Sequence, residues 1–276
     1  MKFFITYGDL KFQKAKDKIL REAAETGVFD TIIGYDSDNV SSELSQADIF
    51  RIERGGGLWS WKPDIIWQTI HLGNDGDIIV YCDAGCTLSS TTEWNWYWEK
   101  LKNHDIIAQK IFQRTDKWTR KELLEFFEGN GSEWKKCYQY QATIVLKICD
   151  FTRCFVKEWR DIMIQHPTLV MDVSPEEMAN QLPCFVENRH DQSVYSALVY
   201  KYLRDPHNCG KIYSCWERIE DYSALRTQAI RATRLRNGES ESIVNKIKGQ
   251  FKRIIKHGFL VPFYYGPINL VRMRKL

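Results

Sequence analysis

The sequence predicts an α/β fold with a doubly wound, mainly parallel central sheet flanked by helices. The chain opens with a strand-helix-strand pattern, formed by residues 3–7, 11–26 and Thr31–Tyr35, which is typical of parallel sheets. Ile78–Tyr81 is a continuous run of β-branched and aromatic residues, as expected for a strand buried on both faces. We expect this last strand near the middle of the sheet.

Composition indicates an ordinary globular protein. The 276 residues are 43% hydrophobic and 27% charged, enough for one domain with a full core, 1–276. No 18-residue apolar run is present, and the first residues lead straight into a strand, so neither a transmembrane helix nor a signal peptide is expected. Eight cysteines without a CxxC pair favour reduced thiols rather than structural zinc. These observations favour a cytoplasmic protein.

Positive charge is concentrated at the C-terminal end. Residues 222–276 hold 12 Lys or Arg against 2 Glu, which is +10, so the remainder carries −7 within the total of +3. Such a segment can meet an anionic ligand or an anionic membrane surface, or it can be a solvated helix face. Nucleic acid is not expected as a partner, because the remainder is acidic and no RRM, KH or zinc-finger pattern is present.

Further along the chain, the pattern alternates between helices and strands. Apolar residues at helical spacing, or dense aromatic residues, predict helices over 62–71, 93–98, 118–127, 152–165 and 191–202. Apolar runs predict strands over 106–112 and 142–148.

Candidate ligand-binding residues follow two predicted strands. Asp83, Ala84 and Gly85 follow Ile78–Tyr81, and ligands of open α/β sheets bind at the carboxyl ends of strands. Asp83 could meet a sugar hydroxyl or a metal carried by a phosphate ligand, or could simply form a turn. Residues 7–9, which are Tyr7, Gly8 and Asp9, follow the first strand. They could contact a base or ribose, or form a plain strand-to-helix turn.

A glycine-rich stretch precedes the central strand. Three glycines, 55–57, lie between Arg54 and the pair Trp61-Lys62. A glycine-rich turn that opens a helix offers free N–H groups to phosphate, and the two flanking cations would assist. Neither the P-loop nor the dinucleotide fingerprint spacing is present.

Two other stretches carry chemistry. Trp94 and Trp98 lie in a dense aromatic run whose rings could stack on sugars as an acceptor platform, or simply pack a helix on the sheet. Asp191 and Gln192 would begin a helix, where the helix dipole favours a carboxylate. The alternative for them is a capped surface helix.

The motifs together resemble a known family. RGGGLWSWKP, DGDIIVYCDAGC, WTRKELL and RHDQSVYSAL resemble GT-A fold glycosyltransferases, in particular glycogenin-like and lipopolysaccharide galactosyltransferase-like enzymes. They are most similar to a poorly characterised group of bacterial and large-virus sugar transferases. The resemblance spans about residues 3–202.

The resemblance implies a donor site built on a DxD-like motif. Asp83 takes the first motif position, whereas Gly85 replaces the second carboxylate. Mn²⁺ or Mg²⁺ would then be held by Asp83, the diphosphate and a late histidine, His257. Metal-independent catalysis, with Arg54, Lys62 or basic-segment cations on the phosphates, is the open alternative.

The implied activity is transfer of a hexose or pentose, such as galactose, glucose or xylose, from a nucleoside-diphosphate sugar, expected to be UDP-linked, to a glycan hydroxyl. Asp191 would be the base of an inverting enzyme, or Asp191 and Gln192 would position the donor of a retaining one. Residues of about 1–115 would bind the donor and those of about 116–276 the acceptor, His190 among them. A non-catalytic nucleotide- or sugar-binding module is the alternative. The expected donor-binding residues are Tyr7, Gly8, Asp9, Arg54, Trp61, Lys62, Asp83, Ala84 and Gly85.

Overall fold

The computed structural model of the chain describes residues 1–219 and 228–234. The basic segment 222–276 therefore lies mostly outside the described residues, and His257 does so entirely. The strands of the described part are β1 Lys2–Tyr7, β2 Thr31–Tyr35, β3 Ile78–Tyr81, β4 Thr87–Leu88, β5 Ile106–Arg114, β6 Tyr138–Tyr140, β7 Ile144–Lys147, β8 Ile212–Trp216 and β9 Ile230–Arg231. Its helices are α1 Gln13–Thr26, α2 Ser42–Gln46, α3 Gly55–Leu58, α4 Trp61–Ile70, α5 Glu93–Asn103, α6 Thr115–Trp118, α7 Lys121–Phe126, α8 Asp150–Gln165 and α9 His190–Arg204.

The expected α/β fold is confirmed, and β3 lies inside the sheet between β1 and β7. β1 pairs in parallel with β2 and β3, and β5 pairs in parallel with β8. β7 runs antiparallel to both β3 and β5, and β6 runs antiparallel to β5. Within the described residues, five of the seven strands of this sheet therefore run in one direction. The carboxyl ends of β1, β2, β3, β5 and β8 meet at one edge, which we call the upper edge.

Several elements differ from the predicted ones. The helix expected over 118–127 is two short helices, α6 and α7, because Thr119 and Arg120 between them have extended backbone angles. Arg120 is buried there and pairs with Glu122 and Glu177. The strand expected over 142–148 is the shorter β7, and β4, β6, β8 and β9 are not predicted by any apolar run.

Helices cover both faces of the sheet, each over its own apolar core. One core joins alternate residues of β1, β3 and β5 to α4, α8 and α9. The other joins the opposite faces of the same strands to α1 and α5. None of the helices among the described residues is both long enough and apolar enough to span a membrane.

A buried ion pair fixes α4 against α8. Asp64 on α4 is fully buried, and its Oδ1 lies 2.7 Å from Nε of Arg160 on α8. The same carboxylate accepts hydrogen bonds from the backbone N–H and the hydroxyl of Ser41 and from Gln68. Since α4 also carries Lys62, this pair sets the position of a candidate site residue.

We expect Arg160→Met to lower the free energy of unfolding by about 3–5 kcal/mol, because it leaves a buried carboxylate without its counter-charge. Urea denaturation measures the change. Arg153→Met on the same helix is the matched control, because the partners of Arg153 among the described residues are the exposed Asp75 and Asp150. Its loss should cost under about 1 kcal/mol. Equal losses from the two substitutions would contradict this account.

Candidate active site

A polar cleft of about 620 Å³ opens at the upper edge of the sheet. Its walls come from the glycine-rich stretch, the turn after β3, the end of β5, the turn before β7, the start of α9 and the segment after β9. The lining side chains used below are those of Arg54, Trp59, Lys62, Asp83, Phe112, Gln113, Gln141, Thr143, Glu187, Arg189, His190, Asp191, Gln192, Glu217 and Arg234.

Lys62 joins two carboxylates at the bottom of this cleft. Its Nζ lies 2.7 Å from Oδ2 of Asp191 and 3.5 Å from Oδ1 of Asp83. The buried hydroxyl of Tyr81 donates a hydrogen bond to the same Oδ1 of Asp83. The structure thus brings Asp83 and Asp191 together, although 107 positions separate Asp191 from Asp83 in the sequence.

Burial strengthens the charge–charge interactions between Lys62 and the two carboxylates. The side chains of Lys62 and Asp191 are 5% and 7% exposed, whereas that of Asp83 is 56% exposed. Burial alone would lower the pKa of Lys62, but the charges of Asp191 and Asp83 outweigh it and raise that pKa. Burial raises the pKa of Asp191, although the charge of Lys62 opposes it. Lys62 is therefore the fixed cation of the site.

The glycine-rich stretch places Lys62, and most of its N–H groups are used within the stretch itself. The N–H groups of residues 56 to 60 donate to carbonyls of residues 52, 53, 54, 55 and 57, so none of these remains for a phosphate. Gly57 has φ 91°, and a Cβ there would lie 2.9 Å from the Cα of Phe50. The glycines are therefore required by a tight turn and a close backbone approach.

Gln192 is oriented by a chain of amides. The carbonyl of Trp118 can only accept, so Gln139 presents Nε2 to it at 2.9 Å and has Oε1 left for Gln192. Nε2 of Gln192 donates to Oε1 of Gln139 at 2.6 Å and to Oε1 of Gln113 at 3.0 Å. Both amide hydrogens of Gln192 are thereby used, and its Oε1 is left as an acceptor for a ligand.

His190 and Trp59 form a strained wall of the cleft. Both are non-glycine residues in the left-handed region, with φ of 45° and 60°, at a cost of about 1–3 kcal/mol each. Their rings stack with centroids 5.3 Å apart. His190 is buried, its Nδ1 donates to the carbonyl of Val170 at 2.7 Å, and its Nε2 lies 3.5 Å from Asp172. Such strain is concentrated at functional sites.

Arg54 forms ion pairs with two acidic residues beside His190. It lies 2.7 Å from Asp172 and 3.8 Å from Glu187, and Glu187 also pairs with Arg189 at 3.2 Å. Arg54 therefore reaches the cleft as expected, but part of its charge is balanced by acidic neighbours.

The turn after β3 is held in place by the segment after β9. Thr233 donates its hydroxyl to the carbonyl of Gly85 at 3.0 Å and lies 2.8 Å from the hydroxyl of Thr87. Gly85 lines the cleft, whereas Ala84 is buried behind it. Asp83 is thus presented from a braced turn.

Five expected donor-binding residues do not line this cleft: the buried Ala84, and Tyr7, Gly8, Asp9 and Trp61. Tyr7 and Trp61 are buried and stack on each other at 3.9 Å, as part of the apolar core. Gly8 donates its N–H to the carbonyl of Tyr35, and Asp9 caps the 3₁₀ turn that precedes α1. The structural alternative stated for residues 7–9, a strand-to-helix turn, is the arrangement observed.

The structure places Trp94 and Trp98, the expected acceptor platform on α5, outside the lining of this cleft. Trp94 is 1% exposed, packs edge-on against Phe29 and donates its ring N–H to the carbonyl of Ser89. Trp98 stacks on Trp94 at 5.6 Å. Both rings cover the sheet face opposite α4, because the aromatic run forms the apolar face of a helix that packs on the sheet.

The described residues do not fit a divalent metal by themselves. Asp83 shares Lys62 with Asp191, and Gly85 supplies no carboxylate. Within 1–219 and 228–234, no group of three His, Cys, Asp or Glu side chains could hold a metal ion. The second expected ligand, His257, lies outside the described residues.

Sequence reasoning missed several residues of the site. Gln113 and Gln139 orient Gln192, Asp172 faces His190, and Thr233 braces Gly85. Single polar residues in strands and loops carry no periodic signal, so only the fold reveals these partners.

No family model matches the chain, and no curated protein matches it. Solved structures that are similar to it are described as glycosyltransferases. Galactosyltransferase LgtC, in complex with donor and acceptor sugar analogs, is 13% identical over 84% of this chain and 86% of its own, with a TM-score of 0.38. Mouse xyloside xylosyltransferase 1 is 8% identical over 78% and 85%, with a TM-score of 0.41. The bifunctional glycosyltransferase WbbM is 9% identical over 79% and 38%, with a TM-score of 0.44.

We expect Lys62→Met to destabilise the fold by about 3–5 kcal/mol near neutral pH, because buried Asp191 loses its counter-charge. The pKa of Asp191 is already raised and should then rise further. A carboxyl group whose folded pKa exceeds its unfolded value costs stability as pH rises through the folded pKa. Urea denaturation should therefore show a larger loss at pH 8 than at pH 5.

The double variant Lys62→Met/Asp191→Asn is the control for that experiment, because it removes the buried negative charge together with the positive one. Its stability loss should be nearly the same at the two pH values. A single variant whose loss is identical at pH 5 and pH 8 would contradict the assigned ion pair.

Proposed function

We propose that the chain is a glycosyltransferase that moves a hexose or pentose from a UDP-linked sugar to a hydroxyl group of a glycan. The observation that carries this proposal is the buried Lys62, which holds Asp83 and Asp191 at the end of β3 and the start of α9. The cleft above them suits a polar ligand, because charged and amide side chains supply most of its lining. The motifs that resemble sugar transferases provide three of the elements of this cleft.

The proposed reaction needs negative protein groups near the anomeric carbon of the donor and positive groups near its diphosphate. The bond between the anomeric carbon and the diphosphate oxygen breaks, and a bond from that carbon to the acceptor oxygen forms. Positive charge develops on the carbon and negative charge on the departing diphosphate. The carboxylate of Asp191 and Oε1 of Gln192 would stabilise the carbon, while Arg54, Arg189 and Arg234 line the cleft and would favour the diphosphate.

We assign Lys62 and Asp83 to the sugar or ribose of the donor rather than to its phosphates. Lys62 is buried between carboxylates, so its N–H groups would position these carboxylates and a sugar hydroxyl. Asp83 is half-exposed, and its Oδ2 would accept a hydrogen bond from the donor sugar or ribose. The acceptor proton would pass to Asp191 in an inverting enzyme, or to the departing diphosphate oxygen if Asp191 and Gln192 only position the donor.

A divalent ion is proposed only as a second source of positive charge. Mn²⁺ or Mg²⁺ would need the donor's own phosphate oxygens together with Asp83 and with His257. Assays with Mn²⁺ and with a chelator separate the two cases, since a chelator should leave turnover intact if the arginines alone suffice for the diphosphate.

A non-catalytic sugar-nucleotide-binding module is the second candidate. Gly85, in place of a second motif carboxylate, favours it. Such a module would be stabilised by a nucleotide sugar without cleaving it. The basic segment 222–276 could close over a diphosphate or meet an anionic membrane surface in either case.

Release of nucleoside diphosphate from a panel of UDP-sugars tests the proposed function. We expect wild-type protein to release UDP from at least one donor, and Asp191→Asn to lower kcat by about 10²–10⁴-fold with a smaller change in KM. Asp83→Ala should weaken donor binding by about 1.5–3 kcal/mol, the value of a charged hydrogen bond.

Asp75→Asn is the matched control for both variants, because Asp75 is an exposed carboxylate at the opposite end of β3. Its turnover should equal that of wild type. Wild-type turnover in Asp83→Ala and Asp191→Asn would contradict the proposed active site. Donor binding without any release of nucleoside diphosphate would favour the binding module.

A further inference from the structure

The side-chain amide of Gln113 presents a hydrogen-bond donor to the cleft. Gln139 fixes the orientation of Gln192, whose Nε2 donates to Oε1 of Gln113 at 3.0 Å. The carbonyl oxygen of Gln113 is therefore used by Gln192, and its NH₂ group is left over. This NH₂ group has no hydrogen-bond partner among the described residues, and the Gln113 side chain lines the cleft.

Gln141 supplies a second donor. Its Nε2 is buried and lacks a hydrogen-bond partner within the part of the chain that the structure describes. Buried donors in folded proteins are nearly always satisfied, so an orphan one calls for an explanation. The Gln141 side chain lines the cleft, and a ligand that offers an oxygen atom there would satisfy it.

An irregular strand pairing brings the two donors toward each other. Lys110 of β5 is paired with Tyr140 of β6, whereas Arg114 is paired with Tyr138. β5 therefore has extra residues between these two pairs, and they form a bulge that contains Gln113. The bulge shortens the path along the sheet from Gln113 to the second donor, which follows β6 directly.

The surroundings of the two donors suit a neutral ligand. Thr143 adds an uncharged hydroxyl to the same lining. Asp191 adjoins Gln192, and Glu217 is joined to β5 because its backbone N–H donates to the carbonyl of Lys110 at 2.9 Å. A carboxylate on the ligand would meet like charges here. A hydroxyl group instead accepts from an amide and donates its own hydrogen to a carboxylate.

We propose that Gln113 and Gln141 bind the acceptor, through two hydroxyl oxygens of a neutral sugar that neighbour the reacting hydroxyl. This inference rests on the proposed sugar transfer. In that reaction Oε1 of Gln192 faces the anomeric carbon, and Gln113 is bonded directly to Gln192. Hydroxyls held by Gln113 therefore lie beside the carbon that is attacked, and the two amides select which acceptor hydroxyl reaches it.

Titration with simple glycosides in the presence of UDP, followed by saturation-transfer NMR, tests this subsite. The probes are the methyl β-D-glycosides of galactose, glucose and xylose, with methyl β-D-glucuronide as the charged counterpart of the glucoside. We expect the wild-type protein to bind at least one neutral glycoside, and to bind the glucuronide more weakly than that glycoside.

Two variants remove the donors. Gln113→Glu keeps an oxygen for Nε2 of Gln192 but loses the NH₂ group, and Gln141→Met loses the amide at a similar volume. Each should weaken binding of the neutral glycoside by about tenfold, the effect of roughly one lost hydrogen bond. The glycosides carry no charge, so the new carboxylate at position 113 acts on them chiefly through the lost donor.

Gln165→Met is the matched control, because Gln165 is exposed at the end of α8 and does not line the cleft. Its glycoside affinity should equal that of wild type, and stabilisation by UDP should persist in all three variants. Unchanged glycoside affinity in either amide variant of the cleft, tighter binding of the glucuronide, or no glycoside binding by wild type overturns the subsite. Failure of the proposed function looks different, since UDP would then not stabilise the wild-type protein and no UDP-sugar would be cleaved.

Discussion

The candidate site depends on one buried cation. An ammonium group in a protein interior is costly unless it is paired, and Lys62 is paired with Asp191 at 2.7 Å and Asp83 at 3.5 Å. These residues come from α4, α9 and the turn after β3. The requirement to neutralise Lys62 therefore fixes three distant parts of the chain relative to one another.

The sheet explains why these parts meet at this point. β3 has a parallel neighbour, β1, on one side and an antiparallel neighbour, β7, on the other. Ligands in open sheets bind where the strand order changes, outside the carboxyl ends of the strands. Asp83 lies at such a position, and Asp191 lies in the first turn of α9, where the helix dipole favours a carboxylate. The same geometry leaves room for a cleft, because β7 starts where β3 ends.

Much of this arrangement could be predicted from the sequence, and the rest depended on tertiary contacts. Thr31–Tyr35 and Ile78–Tyr81 are predicted with their observed bounds, because short runs rich in β-branched and aromatic residues favour strands. The roles of the glycines could not be predicted, since a local pattern does not show that every N–H of residues 56 to 60 has an internal partner. Aromatic residues were equally ambiguous: Trp94 is core and Phe112 lines the cleft, and only tertiary packing decides which.

The central claim is that a nucleotide sugar binds with its sugar ring against Asp83, Lys62 and Asp191. A crystal structure of the protein with a non-hydrolysable UDP-sugar tests this most directly. The account predicts sugar hydroxyls within hydrogen-bond distance of Asp83 and Lys62, and the anomeric carbon facing the carboxylate of Asp191 and Oε1 of Gln192. A nucleotide sugar bound elsewhere on the protein, with the Lys62 ion pairs facing no ligand, would contradict it.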